Sequence, residues 1–128
     1  MIHDKDYMMR QVRQFSNFIS KMLLEKNEGK PDEELLVFET QMKDIFKLGF
    51  EELSSKTTEE IKSWIEEREE KYHAEYYELL GNIFYLKYKE TENKGFAQNA
   101  KTFYELYLQK SQIFSIPIIN RINELKVL

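Results

Sequence analysis

Glu70 and His73 are the two residues of this chain whose types and spacing come closest to a known chemical site. On a helix, a Glu-x-x-His pair offers two metal ligands from one face, as in carboxylate-bridged two-metal sites. Such sites need the motif on two helices and two further carboxylates, but the only other histidine is His3, near the N-terminus. We therefore interpret Glu70 and His73 as an ordinary pair on a helix face and expect neither a metal nor a cofactor.

The sequence also lacks the residue patterns of nucleophilic catalytic sites and of phosphate-binding loops. The chain has no Cys, and neither histidine is linked by its sequence context to a Ser and an acid. Glycine-rich phosphate-binding loops are absent as well. The sequence thus predicts no catalytic residues and a protein that is not an enzyme.

Composition predicts one globular domain in 128 residues, with 41% hydrophobic and 33% charged residues. No stretch approaches the roughly 20 continuous apolar residues that cross a bilayer, and the N-terminus does not resemble a signal peptide. An acidic pI without a basic stripe argues against nucleic acid as a partner. The absence of Cys fits a reducing compartment, so we expect a cytoplasmic protein without membrane contact.

The net charge of −4 is unevenly distributed along the chain. Residues 1–30 carry a net charge of +2 and residues 94–128 a net charge of +3, whereas residues 31–93 carry −9. This pattern fits solvated helix faces, because exposed charge pairs contribute little. It also fits contact between the basic ends and the acidic middle, or a charge-complementary dimer.

Hydrophobic periodicity predicts an all-α bundle of five to six antiparallel helices, because apolar residues recur at three- and four-residue spacing and no strand pattern competes. The predicted helices span Asp4 or Asp6 to Lys26, Asp32–Leu48, Thr58–Glu67, Tyr72–Glu90, Phe96–Phe114 and a last helix after Ser115, with a short turn or one-turn helix at Phe50–Leu53.

Local signals mark several helix ends. Asn27–Pro31 predicts a stop, and Gly49 a left-handed cap of the second helix. Thr57 with Glu60 forms a capping-box pattern. Ser115 is predicted to cap the last helix, with Pro117 in its first turn.

A tetratricopeptide-like pattern occupies the C-terminal half: Tyr77-x2-Leu80-Gly81-x2-Phe84, then Ala100-x3-Tyr104, with Pro117 beyond. Gly81 and Ala100 remove side chains where two helices would approach closely. Because only one copy is convincing, we expect one helix pair and not an array. The chain is then one domain, with N-terminal helices in residues 1–70 and this pair plus a capping helix in residues 71–128.

The chain resembles a family of short, uncharacterised bacterial all-helical proteins. The resemblance lies in Asp6–Val12, the Leu48-Gly49 turn, the capped Thr57-x2-Glu60 helix and the closing helix pair. It implies a tetratricopeptide-like domain of unknown function, and it brings no catalytic residues.

Seven of the eight Tyr lie between residues 72 and 107, too many for one helix seam. Tyr suits interfaces because it joins an apolar ring to a polar tip. The leading hypothesis is therefore a protein-interaction or scaffold module that binds a protein partner or itself. One alternative is a small-molecule sensor or enzyme whose pocket uses Glu70, His73 and a Tyr hydroxyl; another is a structural homodimer. The residues favoured for partner binding, as exposed side chains, are Tyr77, Tyr85, Tyr88 and Tyr107.

Overall fold

The computed structural model describes residues 3–24 and 31–128, and these ranges contain helices and turns but no strand. The all-α prediction is therefore confirmed. Seven α-helices pack together, and one 3-10 turn at Glu70–Tyr72 precedes the fifth. They are α1 (His3–Leu24), α2 (Pro31–Phe46), α3 (Phe50–Ser54), α4 (Thr58–Glu66), α5 (His73–Thr91), α6 (Lys94–Ser111) and α7 (Ile116–Lys126).

Helix α5 lies at the centre of the fold. Residues 79–86 are all buried. Eight consecutive residues cover more than two helical turns, so neighbours must surround the helix on every side. Its most extensive contacts are with α6 and then with α1. The sequence Leu79-Leu80-Gly81-Asn82-Ile83-Phe84 is apolar around most of the helix for this reason.

Gly81 brings α5 and α6 into close contact. A Cβ atom added at Gly81 would lie 2.6 Å from Cε1 of Tyr104, a residue with no exposed surface. Ala100 is also fully buried. The prediction that Gly81 serves close approach is confirmed, and the atoms that fill the space belong to the Tyr104 ring.

The predicted capping box is confirmed by two hydrogen bonds. The Glu60 amide donates to the Thr57 hydroxyl at 3.1 Å, and the Thr57 amide donates to the Glu60 carboxylate at 2.9 Å. The short helix after Gly49 also forms, as α3. The predicted stop at Asn27–Pro31 falls mostly on residues 25–30, outside the described residues.

The predicted left-handed cap at Gly49 is wrong. Lys47 adopts the left-handed conformation, with φ of 63°, whereas Gly49 has φ of −74° and precedes α3. A Cβ added at Gly49 would lie 2.8 Å from Oε1 of Glu39, the end of a flexible side chain. That carboxylate accepts a hydrogen bond from the Phe50 amide at 3.2 Å.

Helix α6 also differs from its prediction. It begins at Lys94, where the Asn93 side chain accepts a hydrogen bond from the Phe96 amide at 3.1 Å. It ends at Ser111, so Phe114 lies in a linker and is 78% exposed. In the described structure Ser115 precedes α7 without a side-chain capping bond, contrary to the prediction.

Candidate functional site

The tyrosines favoured for partner binding differ strongly in exposure. Tyr77 has no exposed surface and its ring stacks against Phe103, with centroids 6.2 Å apart. Tyr85 is 7% exposed. Tyr88 and Tyr107 are partly exposed and pack against the core. The expectation of exposure is therefore wrong for Tyr77 and Tyr85, because Tyr77 packs against α6 and Tyr85 packs against α6 and α7.

Tyr85 takes part in a chain of polar contacts between α5 and α7. Its hydroxyl donates to Oε1 of Glu124 at 2.7 Å, and Lys89 Nζ donates to Oε2 of the same carboxylate at 2.5 Å. Burial raises the pKa of Tyr85. Burial also acts to raise the pKa of Glu124, but the hydrogen bonds from Lys89 and Tyr85 outweigh it and lower the pKa overall. These contacts tie α7 to α5.

A polar cluster of Ser16, Asn82, Tyr104 and Arg121 joins four helices. Asn82, 4% exposed in the middle of α5, accepts at Oδ1 from the Tyr104 hydroxyl at 2.6 Å and from Arg121 Nη1 at 3.0 Å. Its Nδ2 donates to the Ser16 hydroxyl at 3.2 Å. Arg121 Nη1 lies 2.9 Å from the Tyr104 hydroxyl as well. The guanidinium carbon also lies 4.9 Å from the centroid of the Tyr85 ring, so Arg121 is held in a fixed orientation.

Glu78 is a partly buried carboxylate near this cluster. Burial raises its pKa, the charge of Glu75 raises it further, and Arg121 opposes both. No ion pair involves Glu78 within the part of the chain that the structure describes. Its ionised form is therefore unfavourable in the folded protein.

A groove of about 720 Å³ lies between the α1–α2 end of the molecule and the opposite wall formed by α5 and α7. We call it the groove. The wall from α1 and α2 is mainly apolar apart from Glu34, whereas the wall from α5 and α7 carries the cations and Glu90. The groove is lined by Met22, Leu23, Leu24, Pro31, Glu34, Leu35, Phe38, Tyr85, Leu86, Lys87, Lys89, Glu90 and Arg121.

Four apolar side chains remain exposed beside this groove. Leu24 at the end of α1 is 81% exposed, and Leu35, Leu36 and Val37 on α2 are 54%, 67% and 41% exposed. Leu24 and Leu35 line the groove itself, and Leu36 and Val37 continue around α2. We call these four residues the apolar rim. Single exposed Leu residues are ordinary on protein surfaces, whereas large contiguous apolar patches are typical of contact surfaces.

Glu70 and His73 are not brought together as a ligand site. His73 is 5% exposed, and its Nε2 donates to the Arg68 carbonyl at 2.8 Å. Among residues 3–24 and 31–128, no group of three or more His, Asp or Glu could hold a metal ion. A second cavity, of about 310 Å³, is lined by Trp64, Tyr72 and Tyr76 among others, and not by Glu70 or His73. No helix in the described ranges is long and apolar enough to cross a membrane.

Sequence reasoning missed Asn82, Arg121 and Glu124. A signal for Asn82 was present, because a single amide inside a buried apolar run must find hydrogen-bond partners. Arg121 lies directly before the buried Ile122 and therefore beside the apolar stripe of α7. Glu124 had no comparable signal, since its role depends on how α7 is placed against α5.

Comparison with known proteins gives no relative from which a role could be transferred. No protein-family model, curated protein or solved structure matches this chain. The function must therefore be argued from the groove, the polar cluster and the apolar rim.

Proposed function

We propose that the protein is a protein-interaction module that binds a protein partner through the apolar rim and the groove beside it. The observation that carries this proposal is the exposure of three consecutive apolar residues, Leu35, Leu36 and Val37. Successive residues of a helix are about 100° apart, so these three span an arc of about 200° around α2. A surface of that extent has no neighbour within the described chain to cover it.

A protein partner fits this surface better than a small ligand does. A ligand within the groove would contact Leu24 and Leu35, but Leu36 and Val37 do not line the groove. They would remain in water. A partner with its own apolar surface would cover all four residues of the apolar rim, and the hydrophobic effect would then contribute to binding.

The α5–α6 pair supports a scaffold role of the tetratricopeptide type. Tyr77 contacts Phe103 in the middle of α6, whereas Phe84, seven residues further along α5, contacts both Phe103 and Phe96 near the start of α6. Such pairs are expected of two antiparallel helices joined by a short turn. Together with Gly81 at the contact, they favour one tetratricopeptide-like unit that forms a rigid support for α1, α2 and α7. The Cys-free, acidic chain favours a cytoplasmic location.

The apolar rim is favoured over the α6–α7 linker, although that linker also exposes apolar side chains. Ile113, Phe114 and Ile116 are 57%, 78% and 60% exposed. They do not line the groove. The apolar rim combines exposed apolar groups, a concave surface and fixed charges, which together give both affinity and orientation.

Quantitative affinity capture with matched variants tests the proposal. We expect at least one protein to be captured by the wild type, lost with Leu36→Asp and retained with Phe114→Asp. Both substitutions place a carboxylate on a highly exposed apolar position, so their effects on solubility are comparable. Equal capture by the two variants would contradict binding at the apolar rim, and so would the absence of any protein that depends on Leu36.

A further inference from the structure

The groove is lined by charges of both signs: its cations and Glu90 lie on the α5–α7 wall, and Glu34 lies on the opposite wall. Lys87, Lys89 and Arg121 come from α5 and α7. The opposite wall includes the start of α2, whose first turn holds Asp32, Glu33 and Glu34. The acidic turn is directly followed by the exposed apolar residues of α2, so one short segment combines carboxylates with apolar side chains.

Arg121 is the groove cation whose charge is left without a carboxylate partner within the described residues. Lys87 Nζ lies 3.3 Å from Glu90, and Lys89 Nζ lies 2.5 Å from Glu124. No carboxylate of the described chain comes within ion-pair distance of Arg121. Its guanidinium donates to neutral oxygens and lies against an aromatic ring, while its charge acts on Glu78 and Glu124 from beyond ion-pair distance.

Only one edge of the Arg121 guanidinium is used. Nη1 donates to Asn82 and Tyr104, whereas Nε and Nη2 make no hydrogen bond with any described residue. Since a guanidinium presents its donors in a planar fork, the remaining edge matches a carboxylate. Holding Nη1 in place reduces the entropy that such a contact would cost.

We propose that the occupant of the groove is a second copy of this chain, whose α2 places Asp32 against Arg121 and its exposed leucines against the apolar rim. This inference rests on the proposed function, since it names the partner of the same surface. The segment Asp32–Val37 supplies what the groove requires, namely a carboxylate next to exposed apolar side chains. Asp32 is itself exposed and lies in the first turn of α2.

Two-fold symmetry makes this contact self-complementary. In a symmetric dimer the same patch serves both copies, so Asp32 of each chain meets Arg121 of the other. The two ion pairs lie at the ends of a central apolar contact formed by the two α2 helices. The uneven charge of the chain, acidic in residues 31–93 and basic in residues 94–128, then favours this arrangement.

Sedimentation equilibrium over a concentration series tests the proposal. We expect the mass of the wild type to rise from 15.6 kDa toward twice that value. Asp32→Lys should raise the dimer dissociation constant roughly tenfold or more, because it places a cation against Arg121. Asp44→Lys is the matched control, with the same charge change at an exposed position near the other end of α2. It should leave the dissociation constant nearly unchanged.

Two results would overturn the inference: a wild type that stays monomeric throughout, or equal effects of Asp32→Lys and Asp44→Lys. Circular dichroism of both variants verifies that α2 remains helical. If the wild type is monomeric while Leu36-dependent capture of another protein persists, the dimer is excluded and the proposed function stands. If neither is observed, both are excluded.

Discussion

At the scale of single residues, the buried tyrosines Tyr77 and Tyr104 differ in whether their hydroxyl groups have hydrogen-bond partners. The Tyr104 hydroxyl bonds to Asn82 and Arg121, whereas the Tyr77 hydroxyl is buried without a partner among the described residues. Burial raises the pKa of Tyr77 to about 12. A buried unsatisfied hydroxyl costs free energy that a bonded one does not.

This contrast predicts opposite effects of removing the two hydroxyls. Tyr104→Phe should lower the free energy of unfolding by about 1–3 kcal/mol, because it leaves Asn82 and Arg121 with fewer partners. Tyr77→Phe should raise it by about 1 kcal/mol, because it removes an unpaired polar group. Urea unfolding of both variants measures this difference. Destabilisation by Tyr77→Phe would show that its hydroxyl has a partner.

Glu78 gives a pH-dependent prediction. Because burial raises its pKa in the folded protein, its contribution to stability is present below the ordinary carboxyl pKa of 4.5 and is lost as pH rises through the folded value. Glu78→Gln removes this titration and should therefore raise the midpoint temperature at neutral pH. The gain should disappear below about pH 3, where Glu78 is protonated in both states.

Thermal melts from acidic to neutral pH test this prediction. Glu67→Gln is the control, because the Glu67 side chain is 74% exposed. This substitution should change the midpoint temperature little at any pH. A Glu78→Gln variant that is less stable than the wild type at neutral pH would contradict the account, since it would mean that the ionised carboxylate is favourable.

At the scale of elements, the contact of α5 with α6 was readable from the sequence because it depends on local residue types. Gly81 and Ala100 are small, and they lie where the helices approach. The capping box at Thr57 was predictable for the same reason, since its partners are three residues apart. The closeness of Gly49 to the Glu39 carboxylate was not predictable, because these two residues are ten positions apart in the sequence.

The helix pair gives a prediction at this scale. Gly81→Ala should destabilise the protein by about 1–2 kcal/mol, because the clash with the Tyr104 ring outweighs a helix-propensity gain of about 1 kcal/mol. Gly95→Ala is a control on the same pair, because its Cβ would meet only the side-chain oxygen of exposed Asn93 at 3.0 Å. Chemical unfolding measures the free energy of unfolding of both variants. Equal values for Gly81→Ala and Gly95→Ala would contradict the close approach of the helices at Gly81.

At the scale of the whole molecule, the candidate site could not be predicted because it exists only once four helices have met. The groove takes its apolar wall from α1 and α2 and its cations from α5 and α7. The sequence predicted an interaction surface from the abundance of Tyr, but packing buries Tyr77 and Tyr85 and leaves Leu35 and Leu36 exposed. That the protein has an interaction surface stays a prediction from composition, and tertiary contacts determine which apolar side chains are exposed.

Two substitutions on α2 should distinguish residues that stabilise the fold from residues that bind a partner. Phe38 is 1% exposed, and Phe38→Ala should cost about 3–5 kcal/mol of stability. Leu36→Asp, two residues away and exposed, should change stability by less than about 0.5 kcal/mol while abolishing partner binding. Thermal melts measure the stability of both variants. A large loss of stability with Leu36→Asp would show that this side chain serves the fold.

The central claim is that α2 meets a protein at Leu36, and a photo-activated cross-linker at that position tests it most directly. A benzophenone amino acid at position 36 should form one discrete cross-linked product in cells, whether with a second copy or with another protein. The same cross-linker at Gln98, exposed on α6 and outside the groove, is the control. We expect no matching product there. Absence of a product at position 36, or an identical product from position 98, would contradict the account.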